Sequence, residues 1–270
     1  MEFESTFGTP TPVVGMVHLP PLPGAPRADG DLGAVLERAV ADAEALAAGG
    51  VDGVLVENFG DAPFHPDDVP KHTVAAMTRA TTVVADAVDR PVGVNVLRND
   101  AEAALSVAAA AAGDFVRVNV HAGARVTDQG VLEGRAHETL RLRERLDADV
   151  AVFADVAVKH SAPLGERSVR GELRDVCERG LADVVVVSGP ATGETVEESA
   201  LADAVAARDE AAPETPVVVG SGVTADNAAD LLAAADGAIV GTALKTGGET
   251  AAPVDEHRVA DLVSAAAAAR

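Results

Sequence analysis

The chain holds one cysteine, almost no lysine and no long apolar run, and each shortage closes off a class of protein. A lone Cys177 can form no intrachain disulfide and cannot build a thiolate metal site by itself, so its place in a helical pattern reads as packing. Apolar residues make up 48% of the chain. Every run is nevertheless broken by Gly, Asp or Arg well before the ~20 residues that a membrane helix needs, and no span is expected. The opening Met1-Glu2-Phe3-Glu4-Ser5 is acidic and lacks the basic and apolar regions of a secretory signal, which makes the cytoplasm the expected compartment. Cations are outnumbered 21 to 43, for a formal net charge of −22. Nucleic acid is thereby excluded as a partner, because its phosphates demand clustered positive charge.

What is present is alternation. Eight short valine-rich runs, each bounded by Gly, Pro or Asp, are followed by alanine-rich segments of helical spacing. The runs are Val13–Val17, Gly53–Glu57, Pro91–Leu97, Asp114–His121, Asp149–Val156, Asp183–Ser188, Thr215–Ser221 and Asp236–Thr242. The segments are Leu32–Ala48, Lys71–Val88, Ala101–Ala112, Gly134–Leu146, Gly171–Arg179, Val196–Ala207, Thr224–Ala234 and Asp255–Ala269. Strands alternating with helices give a parallel sheet, and eight units in 270 residues predict a closed (β/α)₈ barrel in a single domain. No repeat beyond this alternation is legible. Long proline-rich connections follow runs one and two, the second carrying Phe59 and Phe64. With aromatics at 2% of the chain, that pair is marked as a lid or oligomer contact.

Parity along each strand sorts packing residues from functional ones. In Val116-Arg117-Val118-Asn119-Val120-His121 the valines share one face and the polar side chains the other. Facing the helices would leave Arg117, Asn119 and His121 unpaired, so they are expected to point inward. The same rule turns Met16, His18, Leu55, Glu57, Asn95, Leu97, Phe153, Asp155 and Ser188 inward. Most lie at C-terminal strand ends and converge on one mouth. Asp155, His121, Glu57 and Lys159 are the catalytic candidates, since a carboxylate beside a histidine suits general acid/base work. His18, Asn95, Arg117, Asn119 and Ser188 are the substrate-binding candidates. An inward ion-pair layer with Arg117 between Glu57 and Asp155 is the alternative. No cofactor is predicted, but His18, Glu57, His121 and Asp155 are ligand types for a divalent metal.

The last two strand-to-helix loops read Gly220-Ser221-Gly222-Val223-Thr224 and Gly241-Thr242-Ala243-Leu244-Lys245. Glycines let backbone N–H groups approach an anion, and barrels recurrently hold phosphate here. Gly220, Ser221, Gly222, Gly241, Thr242 and Lys245 are therefore the expected phosphate site.

Gly15-Met16-Val17-His18-Leu19-Pro20-Pro21-Leu22-Pro23-Gly24 and Ala154-Asp155-Val156-Ala157-Val158-Lys159-His160 resemble the BtpA/SgcQ family. So do Glu57-Asn58, Asn95-Val96-Leu97-Arg98-Asn99 and Arg117-Val118-Asn119, and the likeness runs over nearly the whole chain. The family is similar to phosphate-binding TIM barrels and takes its name from photosystem I biogenesis in cyanobacteria. The expectation is an enzyme acting on a small phosphorylated metabolite, a sugar phosphate or nucleotide-derived phosphate, by isomerase, lyase or transferase chemistry. It is expected to be a homo-oligomer. A BtpA-type assembly or regulatory factor and a metal-dependent hydrolase are the alternatives.

Of the 21 cations only Lys71, Lys159 and Lys245 are lysine. Such an acid-rich, lysine-poor composition is that of a halophile (a haloarchaeal type), in which molar salt damps self-repulsion. The melting temperature is therefore expected to fall steeply between molar and millimolar KCl; an unchanged melting temperature would refute the halophilic reading.

Overall fold

In the computed structural model, which describes residues 3–156, 158, 160–189 and 198–269, all eight runs form strands. They are β1 (Val13–His18), β2 (Gly53–Glu57), β3 (Val92–Asn95), β4 (Phe115–Val118), β7 (Ala151–Val156), β9 (Val184–Val187), β10 (Val217–Val219) and β11 (Gly237–Val240). All neighbours are parallel, and β1 pairs with both β2 and β11, closing the expected (β/α)₈ barrel. The strands of the third, fourth, sixth, seventh and eighth runs stop short of their expected ends.

The valine pattern divides the interior into two shells. Outward residues such as Val54, Val94, Val116, Val118, Val152, Val185 and Val219 join the large core beneath the helices. Inward residues such as Val14, Met16, Leu55, Phe115, Phe153, Val186 and Ile239 fill the barrel itself. Phe115 and Phe153 stack at 4.5 Å. Gly93 makes room for them, since a Cβ there would sit 2.2 Å from the Phe115 ring.

The helices are α1 (Phe3–Phe7), α2 (Leu32–Ala48), α3 (Lys71–Ala87), α4 (Ala101–Ala110), α5 (Ala136–Arg145), α6 (Val169–Arg174), α7 (Glu198–Ala211), α8 (Ala228–Leu232) and α9 (Glu256–Ala266). Asp31, Asp100, Ser168 and Asp255 cap four of their N-termini through the side chain. Among the described residues no helix is long and apolar enough to cross a membrane. Two features depart from expectation. α1, too short to show a period, lays Phe7 against Phe115 and Phe153 and so plugs the N-terminal end of the barrel. The segment before α5 forms a hairpin, β5 (Ala124–Thr127) with β6 (Gly130–Glu133), and β8 (Ala162–Pro163) adds to it. This small sheet follows β4 and β7, and therefore sits over the C-terminal face.

At the opposite face the barrel is clamped four times by one device. Asp52, Asp114, Asp183 and Asp236 each precede a strand, and each Oδ2 accepts the N–H of Val13, Val92, Val152 or Val217 at 2.8 Å. Each aspartate also donates its own N–H to the carbonyl of that same valine. This is a repeat of two-strand units that the sequence alternation hides. Asp114→Ala leaves the Val92 N–H without its acceptor and is expected to cost about 1–3 kcal/mol in urea unfolding at high salt. An unchanged midpoint would show that water replaces the carboxylate without loss.

Candidate active site

Strand ends bring the polar residues together. His18, Glu57 and Asn95 are register partners across β1, β2 and β3. On β4 and β7, Arg117 and Asp155 form a bidentate pair, with Nε 2.8 Å from Oδ1 and Nη2 2.9 Å from Oδ2. Nη2 also donates to Ser188 Oγ at 3.1 Å, and that hydroxyl donates to the Gly220 carbonyl at 2.6 Å. Asn119 Nδ2 donates to Asp155 Oδ2 at 3.1 Å, and Asn95 Nδ2 reaches Asn119 Oδ1 at 3.5 Å. A chain of hydrogen bonds thus runs from β3 to the loop after β10. Burial alone would lower the guanidinium's pKa, but Asp155 and Glu57 reverse this and hold it above its ordinary value. With three donors on it, Asp155 serves as an anchor.

Two expected residues are elsewhere. Alternation would turn His121 inward, but β4 ends at Val118 and the chain bends. Its Nε2 lies 2.9 Å from the Gly180 carbonyl, beyond the turn that ends the segment after α6. Burial holds this imidazole below its ordinary pKa, hence neutral. It does not join Asp155. Lys245 is fully buried: Nζ donates to the Met16 carbonyl at 2.9 Å and to Asp42 Oδ2 at 3.3 Å. Burial pushes its pKa down to about 8 against the pull of Asp42. Expected as the phosphate's cation, Lys245 instead ties the last loop to β1 and α2. Asp42 also accepts from Arg38 and from the Val254 N–H, which makes it a buried hub. Its position on the apolar stripe of α2 was the sequence signal for this role. Lys159 lies outside the described residues. The four-ligand metal set does not assemble, since His121 is turned away and Asp155 is held by Arg117. Among the described residues no three His, Cys, Asp or Glu side chains group to hold a metal.

His18 and Glu57 do meet, with Nε2 and Oε1 3.7 Å apart and both residues buried. Phe59, marked as a lid or oligomer contact, packs its ring 4.8 Å from the imidazole. A Cβ on Gly241 would lie 2.8 Å from His18 Cε1, so that glycine is also space for the imidazole. Asn58 locks the neighbouring loops by accepting from Leu97 N at 2.7 Å and donating to Asp61 Oδ2 at 3.0 Å. Arg98, absent from the candidates read in sequence, is buried at the mouth. Its burial lowers the guanidinium's pKa, and the charges of Asp155 and Glu57 oppose the shift. The sequence signals for it were its place just beyond the third run and its membership of the family-like stretch Asn95-Val96-Leu97-Arg98-Asn99.

A cavity of about 140 Å³ opens between these groups and the last two loops. Gly220, Ser221, Gly222, Gly241 and Thr242 line it together with His18 and Arg117. The first loop turns through Gly222 at φ +74°, a left-handed conformation suited to glycine. Asn227 holds it, accepting from Thr224 N at 2.8 Å and donating to the Gly222 carbonyl at 3.0 Å.

Comparison with known proteins adds relatives to this geometry. The sequence profile of the BtpA family matches residues 9–268. The chain is 48% identical to the photosystem I biogenesis protein BtpA of Synechocystis, over 99% of this chain and 92% of that protein. It is equally, at 48%, identical to an uncharacterized protein of Thermococcus kodakarensis, over 98% and 97% of the two chains. Among solved structures, tryptophan synthase of Mycobacterium tuberculosis aligns with a TM-score of 0.62 at 19% identity, over 98% of this chain and 96% of that one. That likeness is one of fold.

Breaking the Arg117–Asp155 pair from one side leaves a buried charge uncompensated. Arg117→Met is expected to cost about 3–5 kcal/mol in equilibrium unfolding, and adding Asp155→Leu to recover most of that loss. Additive losses in the double variant would show that the two residues are not coupled.

Proposed function

The chain belongs to the BtpA family, and from that premise we propose that it is an enzyme acting on a small phosphorylated metabolite, by isomerase, lyase or transferase chemistry at the C-terminal face of the barrel. The reading is carried by one observation: a single cavity is lined by the two glycine-rich loops together with Arg117 and with His18, which meets Glu57. Backbone N–H groups within the 221–223 and 241–243 stretches hold the phosphate, which needs close backbone approach more than a lysine. Arg117, fixed by Asp155, presents its remaining Nη1 to the ligand. Proton transfer falls to His18, oriented by Glu57, in place of the pair Asp155–His121. A histidine at the cavity wall with a carboxylate behind it can take a proton from carbon or oxygen and return it, the common requirement of isomerases and lyases.

A second reading, an assembly factor of the BtpA type, is favoured by the name of the Synechocystis relative. The uncharacterized protein of Thermococcus kodakarensis is equally similar, and its name carries no such role.

Thermal denaturation at high salt, screened against phosphorylated sugars and nucleotides, tests the proposal. A ligand at a hundredfold excess over its Kd is expected to raise Tm by about 5–10 °C. Gly222→Val, strained at its positive φ, should lose that shift, whereas Lys245→Ala should melt lower yet keep it. No shift with any phosphate ester would favour the assembly factor.

A further inference from the structure

Among the described residues of the inner strand ends, the amide oxygen of Asn95 stands without a hydrogen-bond partner. Asn95, at the end of β3, is completely buried, and its Oδ1 has no hydrogen-bond partner among the described residues. Its Nδ2 makes only the long 3.5 Å contact to Asn119. A buried amide oxygen left unpaired is costly, and nearly all such atoms in folded proteins find a donor. The same side chain stands in register beside Glu57, which is itself in register with His18 at the cavity wall.

We infer that Asn95 Oδ1 is the acceptor for a hydroxyl of the ligand, and that the ligand is a phosphomonoester of a hydroxylated carbon chain long enough to cross the mouth, of pentose or hexose size. The inference rests on the reading of the last two loops as the phosphate site. Three observations narrow the ligand. An amide oxygen accepts from a hydroxyl but offers no proton to a phosphate oxygen, so the phosphate lies elsewhere. In the ring of eight strands β3 stands four places from β10 in either direction, diametrically opposite the Gly220–Thr224 loop. A molecule held at both places must span the opening, which a triose cannot do as readily as a pentose. Among the described residues that line the cavity, Arg117 is the one permanently cationic side chain, because Lys245 is spent on Asp42. With a formal net charge of −22 around it, such a site suits a single phosphate and disfavours a nucleoside polyphosphate.

Isothermal titration calorimetry of the full chain in molar KCl decides the matter, with inorganic phosphate, glycerol 3-phosphate, ribose 5-phosphate and ADP as probes. Ribose 5-phosphate is expected to bind at least about tenfold tighter than inorganic phosphate, a margin set by one buried hydrogen bond. ADP should bind no tighter than phosphate. Asn95→Ala should remove most of the sugar's margin while leaving inorganic phosphate within about twofold. Asn95→Ser, which keeps a smaller acceptor, should retain part of it and serves if the alanine variant does not fold. The inference is overturned if the Asn95 variants weaken phosphate and ribose 5-phosphate alike, if the sugar adds nothing to phosphate, or if ADP binds most tightly. If phosphate binds and Gly222→Val abolishes it, those failures fall on Asn95 alone; if none of the probes binds, the phosphate reading fails as well.

Discussion

Arg117 and Asp155 face one another inside the barrel, where almost no water reaches them. An ion there is tolerated only when its charge is balanced and its donors and acceptors are occupied. Two parallel hydrogen bonds supply the balance, and the remaining valences recruit Asn119 from one side and Ser188 from the other. Through Ser188 the constraint reaches the Gly220 carbonyl, hence the loop that borders the cavity. Placement of the mouth follows from satisfying this pair, and its polar residues are spaced as they are because the pair would otherwise be unaffordable.

The two ends of the barrel divide the labour. Below, four phenylalanines, two of them from α1, fill the tube with apolar volume that no ligand is asked to displace. Above, Gly241 and the Gly220–Thr224 loop withdraw bulk so that an imidazole and a guanidinium can line open space. The sole cysteine belongs to the inert part: Cys177 is buried, and burial pushes its thiol up to about 11, which leaves it protonated and unreactive.

How far this could be read beforehand depended on whether a residue's role is fixed by its own strand. Valine alternation located all eight barrel strands, and parity turned His18, Glu57, Asn95, Arg117 and Asp155 to the inside, because a ladder enforces a two-residue period. The rule failed at His121, three residues past the last ladder position of β4, where nothing enforces alternation. It could not judge Lys245, whose partner Asp42 lies 203 residues away. Arg98 escaped notice for the same reason, since a loop cation announces neither its depth nor the carboxylates that face it. The β5–β6 hairpin and α1 were missed because four or five residues are too few to display a period.

The four aspartates of the lower rim bind β1 to β2, β3 to β4, β7 to β9 and β10 to β11, each within its own couple. Between couples, at β2/β3, β4/β7, β9/β10 and β11/β1, the described residues show no such latch. The molecule is thus assembled like a barrel of four double staves, and slow breathing, recombination between homologues and relocation of the chain ends should all find their easiest lines along the four unlatched seams.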